Sequence, residues 1–158
     1  MKEQRVSLAT KTRIDKTRRA KLVWERVLEM KVVQIKRSVA DSLLCYASVQ
    51  HPKEGILLLK GKARKDRIVI DEVAIPPLST HGQSFSSFPL HMLAIDFSTM
   101  GTAHSHPSGV LAPSLADLNN FYGRIMVIIA FPYQSSRNIA AFDRDGKVFN
   151  MEITSDEF

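Results

Sequence analysis

His104, Ser105 and His106 are followed by a Pro/Gly loop and then by Ser114 and Asp117, so residues 104–117 bring together two imidazoles, hydroxyls and a carboxylate. Donors from His104, His106 and Asp117 suit a tetrahedral zinc and leave a fourth position for water, the feature that separates a catalytic site from a closed structural one. The chemistry this implies is hydrolysis. On an extended strand, residues two apart leave the same face, so both imidazoles can turn toward one ion. Pro107 ends the strand, Gly109 and Pro113 mark a loop, and Ser114 reads as the N-cap of a helix with Asp117 in its first turn. A loop of that length can fold back and present the carboxylate to the imidazoles. Mixed nitrogen and oxygen donors suit zinc.

Each part also has a plainer use. A His-x-His pair serves on a surface or in a core without metal, and Ser114-x-x-Asp117 is a capping box in its own right. Capping and ligation are compatible, because a first-turn carboxylate can face outward as well as back to the cap. Conjunction with a candidate base favours the site. That base is Glu54, in His51-Pro52-Lys53-Glu54-Gly55, at the edge of the apolar run Ile56 to Leu59. A carboxylate near a metal's water can take its proton and pass it to a leaving amine. The alternative for Glu54 is a solvated residue at a helix-to-strand junction.

His-Pro-x-Glu followed far downstream by His-Ser-His, seven residues, Ser, two residues and Asp resembles the JAMM motif of the MPN-plus metalloproteases. Every motif position is filled, and the resemblance covers roughly residues 31–155. It implies one zinc per chain held by His104, His106 and Asp117, Glu54 as general acid/base, and Ser114 as a stabiliser of the oxyanion. It also implies cleavage, by zinc-activated water, of the isopeptide bond between a lysine and the C-terminal glycine of ubiquitin or a ubiquitin-like protein. The tail of such a modifier needs a groove, and residues 76–89, turn-rich but holding Phe85 and Phe88, are the expected wall and substrate-binding segment. The insertions by which eukaryotic relatives select chain linkages are absent, which fits a compact archaeal-type member. A second hydrolase reading uses the same atoms to release a sulfur-carrier or ubiquitin-like protein from a C-terminal adduct. From another class comes a non-catalytic scaffold or nucleic-acid-associated module worked by the basic N-terminus, against which the presence of both ligands and a base argues.

The surrounding chain must position these groups. At 158 residues one catalytic domain over 31–158 is expected, preceded by a basic extension over 1–30. Residues 1–38 carry twelve Lys and Arg against four acids, while 39–158 carry ten against twelve. The extension, with Leu22, Val23, Val27 and Met30 at helical spacing, is flexible or helical and offers itself to an anionic partner, although a merely solvated segment accounts for it as well. The single Cys45 excludes an internal disulfide and reads as a small buried side chain in a reduced compartment. Neither a signal peptide nor an apolar run long enough to span a membrane is present, so a cytoplasmic location is expected.

Strands are expected at Val32 to Lys36, Ile56 to Leu59, Ile68 to Ile75, Gly101 to His104, Ile125 to Phe131, Asn138 to Phe142 and Val148 to Ile153. Helices are expected from Ser38, capped with Asp41, to just before His51, and from Ser114 to Tyr122, with Asp143 to Gly146 closing a hairpin between the last two strands. Strands interleaved with two or three helices make an α/β layered domain. The resemblance specifies an MPN-like mixed, curved sheet covered by helices. His51, His81 and His91 receive no role.

Overall fold

The computed structural model describes residues 32–77, 80–81, 86–87 and 96–157. The expected N-terminal helix, Phe85 and Phe88 lie outside the described residues. Strand β1 (Val32–Lys36) leads directly into helix α1 (Arg37–Gln50), and β2 (Ile56–Ala63) and β3 (Arg67–Ala74) form a hairpin. Two short strands, β4 (Thr80–His81) and β5 (Ser86–Ser87), pair with each other. Then come β6 (Thr99–His106), α2 (Leu115–Asn119), β7 (Ile125–Ala130), a 3-10 turn at Ser136–Asn138, β8 (Ile139–Phe142) and β9 (Asn150–Thr154).

Seven strands form one mixed sheet in the order β8-β7-β6-β2-β3-β1-β9. Period-two alternation sends Val33, Ile35, Ile68, Ile70, Leu57, Leu59, Ala103 and Val127 to one face, where they pack with Val39, Ala40, Leu43 and Ala47 of α1. A smaller apolar cluster of Phe121, Met126, Ile128 and Phe142 fills the other face beneath β7 and β8. β7 is buried along its whole length, as a strand covered on both faces must be.

The expected hairpin between the last two strands is corrected. Asp143 to Lys147 does make a turn, and Phe142 bridges Val148, but β9 then leaves β8 and pairs in parallel with β1 at the opposite edge. A connection of residues 143–149 can reach from one edge strand to the other only if the sheet curls until its edges are near neighbours. The expected curved mixed sheet is therefore observed, at near-barrel curvature.

Three local readings also change. Cys45 is exposed on the outer side of α1 rather than buried. α2 ends at Asn119 rather than Tyr122, with the Asn120 amide bonded to Ala116 and Leu118 carbonyls. Ser38 and Asp41 do not cap α1. Instead Asp156, from beyond β9, accepts the Ser38 amide at 3.1 Å and the Ser38 hydroxyl at 2.7 Å, supplying the acceptor that a helix N-terminus needs. Among the described residues no helix is long and apolar enough to cross a membrane.

The hydrogen bonds from Ser38 hold the Asp156 carboxyl below its ordinary value. The stabilisation it gives is full above the unfolded pKa and is lost as pH falls through the lower folded pKa. Asp156→Ala should therefore lower the melting temperature at neutral pH, and the gap from wild type should close in acid. A gap that stays constant down to pH values below both pKa values would remove the carboxylate from the cap. A second outcome concerns close packing: a Cβ on Gly101 would lie 1.8 Å from the Ile125 carbonyl oxygen. Gly101→Ala should cost about 3 kcal/mol in urea denaturation, since backbone on both sides would have to move.

Candidate metal centre

β6 runs between β2 and β7, with His104 beside Ile56 on one side and Ile128 on the other, and His106 beside Ala130. Alternation sends Thr102, His104 and His106 to the face away from α1, and both imidazoles are buried. His106 ends the strand. Its carbonyl accepts the amides of Gly109 and Phe131, and Gly109, at φ +79°, turns the chain into the loop toward α2. The expected N-cap is present as a full capping box: Ser114 Oγ accepts the Asp117 amide at 3.1 Å, and Asp117 Oδ2 accepts the Ser114 amide at 2.7 Å. That cap turns Asp117 inward, where it is buried against both histidines.

The geometry shows what lies between the three groups. His106 Nδ1 is 3.0 Å from the Val110 carbonyl, an acceptor, so Nδ1 carries the hydrogen and Nε2 faces Asp117 Oδ2 at 3.3 Å. His104 Nε2 lies 3.2 Å from Thr102 Oγ1, and its Nδ1 faces Asp117 Oδ1 at 3.6 Å. Each imidazole is oriented through one nitrogen and turns the other toward the same carboxylate, the arrangement by which outer partners aim metal ligands. Two nitrogens and a carboxylate facing one another hold either a shared proton or a cation between them. Donors about 2.0–2.1 Å from a tetrahedral zinc lie about 3.3 Å apart, the separation of His106 Nε2 from Asp117 Oδ2, while His104 faces the other carboxylate oxygen at 3.6 Å. Among the described residues no three His, Cys, Asp or Glu side chains already surround a common centre. The donor chemistry and the His106–Asp117 spacing, rather than a completed cage, make the fit.

Electrostatics follow burial. Desolvation pushes His104 down to about 4, against the attraction of Asp117, so its imidazole is neutral and able to ligate. Burial also opposes charge on His106, but the hydrogen bond and charge of Asp117, the Val110 carbonyl and Glu54 outweigh it and leave His106 raised. Burial alone would raise the Asp117 carboxyl, but His106, Ser114 and His104 hold it well below the usual carboxylate range.

Glu54 is half-buried in the segment between α1 and β2. Burial raises its carboxyl, with Asp117 adding to the rise and His106 opposing it, which places Glu54 within the electrostatic reach of both. Two features absent from the sequence reading hold it there. Gly55 donates its amide to Ser105 Oγ at 2.7 Å, and the Ser105 amide donates back to the Gly55 carbonyl at 3.0 Å. His51 stacks on Phe131 at 5.1 Å with the rings 27° apart, and Tyr133 packs edge-on to both. Phe131 is itself bonded to His106 through its backbone. Ser105, Thr102 and the Val110 carbonyl were hidden in the sequence because their roles depend on strand face and loop path; His51 could have been noticed from its place three residues before Glu54.

Fold and site together define a metalloprotease-like domain of the JAMM/MPN type. Residues 36–144 match the family described as prokaryotic homologues of the JAB domain, and the chain belongs to that family. It is 35% identical over 129 residues to a probable metalloprotease of Haloferax volcanii, covering 77% of this chain and 80% of that protein. A solved structure described as JAMM, a metalloprotease-like zinc site in the proteasome and signalosome, is 28% identical and superposes with a TM-score of 0.56 over 78% of this chain and 99% of its own. A JAB1/MPN-domain protein from Archaeoglobus fulgidus is 25% identical, with a TM-score of 0.55 over 77% of this chain and 96% of its own.

Ser105→Ala leaves the Gly55 amide without its buried acceptor. The variant should lose about 1–3 kcal/mol of stability in urea denaturation and lose turnover through displacement of Glu54, while keeping its metal. Full turnover in a folded Ser105→Ala protein would show that Glu54 is held by other contacts.

Proposed function

We propose that this protein is a zinc-dependent isopeptidase that removes ubiquitin or a ubiquitin-like modifier from lysine conjugates. The observation that carries the reading is the buried Asp117 carboxylate set between His104 and His106, with a half-buried glutamate whose carboxyl is raised beside them. His104, His106 and Asp117 would hold the zinc, which when bound supplies Lewis-acid polarisation of the carbonyl and a water acidic enough to act near neutral pH. Membership of the JAB-domain family and similarity to a probable metalloprotease support hydrolysis of a peptide-type bond.

The chain's own residues supply the remainder. Glu54, with its carboxyl raised toward the working pH, accepts the proton of the attacking water and returns it to the lysine amine as that group leaves. Its half-burial strengthens the proton affinity this shuttle needs. The Ser114 hydroxyl donates to Asp117 Oδ2 at 2.7 Å, so it stabilises the oxyanion only by turning from the carboxylate to the substrate. Residues 76–89, including Phe85 and Phe88, remain the proposed wall for the modifier's C-terminal tail.

Metal analysis and cleavage of a ubiquitin-like fusion test the assignment together. His106→Ala should lose the zinc and the activity. Glu54→Gln should fold normally, keep its zinc and lose roughly 10²- to 10⁴-fold in turnover. Zinc loss in that variant would make Glu54 a ligand, and near wild-type turnover would leave the protein without its proposed base. Ser114→Ala should retain zinc and lose on the order of 10²-fold in turnover. An activity loss matched wholly by unfolding would confine Ser114 to its capping role.

A further inference from the structure

Two rules of local structure are broken at one residue, Tyr133. It is buried, 5% exposed, yet its hydroxyl has no hydrogen-bond partner among the described residues. Alone among the described non-glycine residues, it also stands at positive φ, +61°. Each departure costs stability. A buried hydroxyl without a partner forfeits its hydration, and a left-handed backbone brings Cβ against the following carbonyl oxygen. Phenylalanine would fill the same space without the first cost, and glycine would make the same turn without the second. Departures of this kind cluster where a function needs them.

The surroundings of Tyr133 point to that function. Its amide donates to the Ala130 carbonyl at 3.1 Å, and Ala130 is the register partner of His106, so the turn lies at the metal-centre end of the sheet. Its side chain joins the core that holds Ala47 of α1 and Ile139 of β8, on the side of the sheet toward which Ser105 points. The ring meets His51 edge-on at 5.9 Å and Phe131 at 5.7 Å. His51 begins the short segment that carries Glu54. Along it the His51 and Lys53 amides donate to the Ala47 and Gln50 carbonyls, and Gly55 exchanges hydrogen bonds with Ser105. These contacts fix the backbone on either side of Glu54, while its carboxylate turns about the side-chain bonds beyond.

The phenol has a donor to offer it. Burial raises the Tyr133 phenol and the charge of Glu54 raises it further, so the hydroxyl keeps its proton and the two groups are within electrostatic reach. A hydroxyl enclosed on the core side can meet one carboxylate oxygen and leave the second for the reacting atoms.

We infer that Tyr133 is a positioning residue for Glu54, its buried hydroxyl being the donor that holds the Glu54 carboxylate once that side chain rotates toward the core. The kinetic part of this role rests on the reading of Glu54 as base, and two measurements on the full chain separate the two. The first is urea denaturation without substrate. Tyr133→Phe should lower the urea midpoint where Glu54 is present, by breaking a buried hydrogen bond, and raise it in a Glu54→Ala background, where the hydroxyl has lost its acceptor. A tyrosine that only fills the core would shift both backgrounds alike, and that outcome overturns the proposal whatever the activity of the protein. The second is cleavage of a ubiquitin-like fusion by the zinc-loaded protein. Tyr133→Phe should keep its zinc and its KM, lose about tenfold in kcat, and add no further loss to Glu54→Gln. Unchanged kcat in Tyr133→Phe, or losses that multiply in the double variant, would also overturn it. Failure of the wild-type protein to cleave the fusion would count against the proposed function alone, and the urea midpoints would still decide for or against the hydrogen bond from Tyr133 to Glu54.

Discussion

The site depends on two hydrogen bonds exchanged between Gly55 and Ser105 across the start of β2. Ser105 stands between the histidines, so the pleat that sends His104 and His106 to one face sends Ser105 to the other, fully buried. There its hydroxyl meets the segment that follows α1 and fixes the residue after Glu54. One strand thereby aims the two proposed ligands forward while its reverse side holds the proposed base in register. Because both exchanges involve backbone groups of Gly55, Glu54 is positioned through the chain beside it.

The polar site is sustained by a layer of oriented neighbours. Thr102 and the Val110 carbonyl each engage one nitrogen of a histidine, and the Ser114 cap engages one oxygen of Asp117. Burial makes these contacts consequential: with little water present, each dipole keeps its effect, and His104 stays lowered while His106 is raised.

Much of this was legible in the sequence, and the parts that were not share a cause. Strand positions, the cap at Ser114 and the convergence of His104, His106 and Asp117 follow from periodicity and local spacing, which the chain carries within a few residues. The pairing of β9 with β1, the Asp156 cap on α1 and the Gly55–Ser105 exchange join segments far apart in sequence and leave no local mark. Asp143 to Gly146 carry turn residues and make a turn but no hairpin, because turn residues report a reversal of direction and not which strand is met afterwards. Cys45 was misplaced for a related reason: its apolar neighbours Leu43 and Leu44 suggested burial, while the 3.6-residue period turns position 45 outward.

The joining of β9 to β1 has a consequence for how the chain is made. Ser38 and Asp156, which the cap unites, are 118 residues apart. At ribosomal rates of about 5–20 residues per second, the outer edge of β1 waits roughly 6–24 s for its partner strand to be synthesised. Throughout that interval a row of amides and carbonyls beside Val33 and Ile35 is open to any other extended segment, including the same segment of a neighbouring nascent chain. The alternating Gln34 and Lys36, polar and charged on the outward face, are the local residues that oppose such a mispairing until β9 arrives.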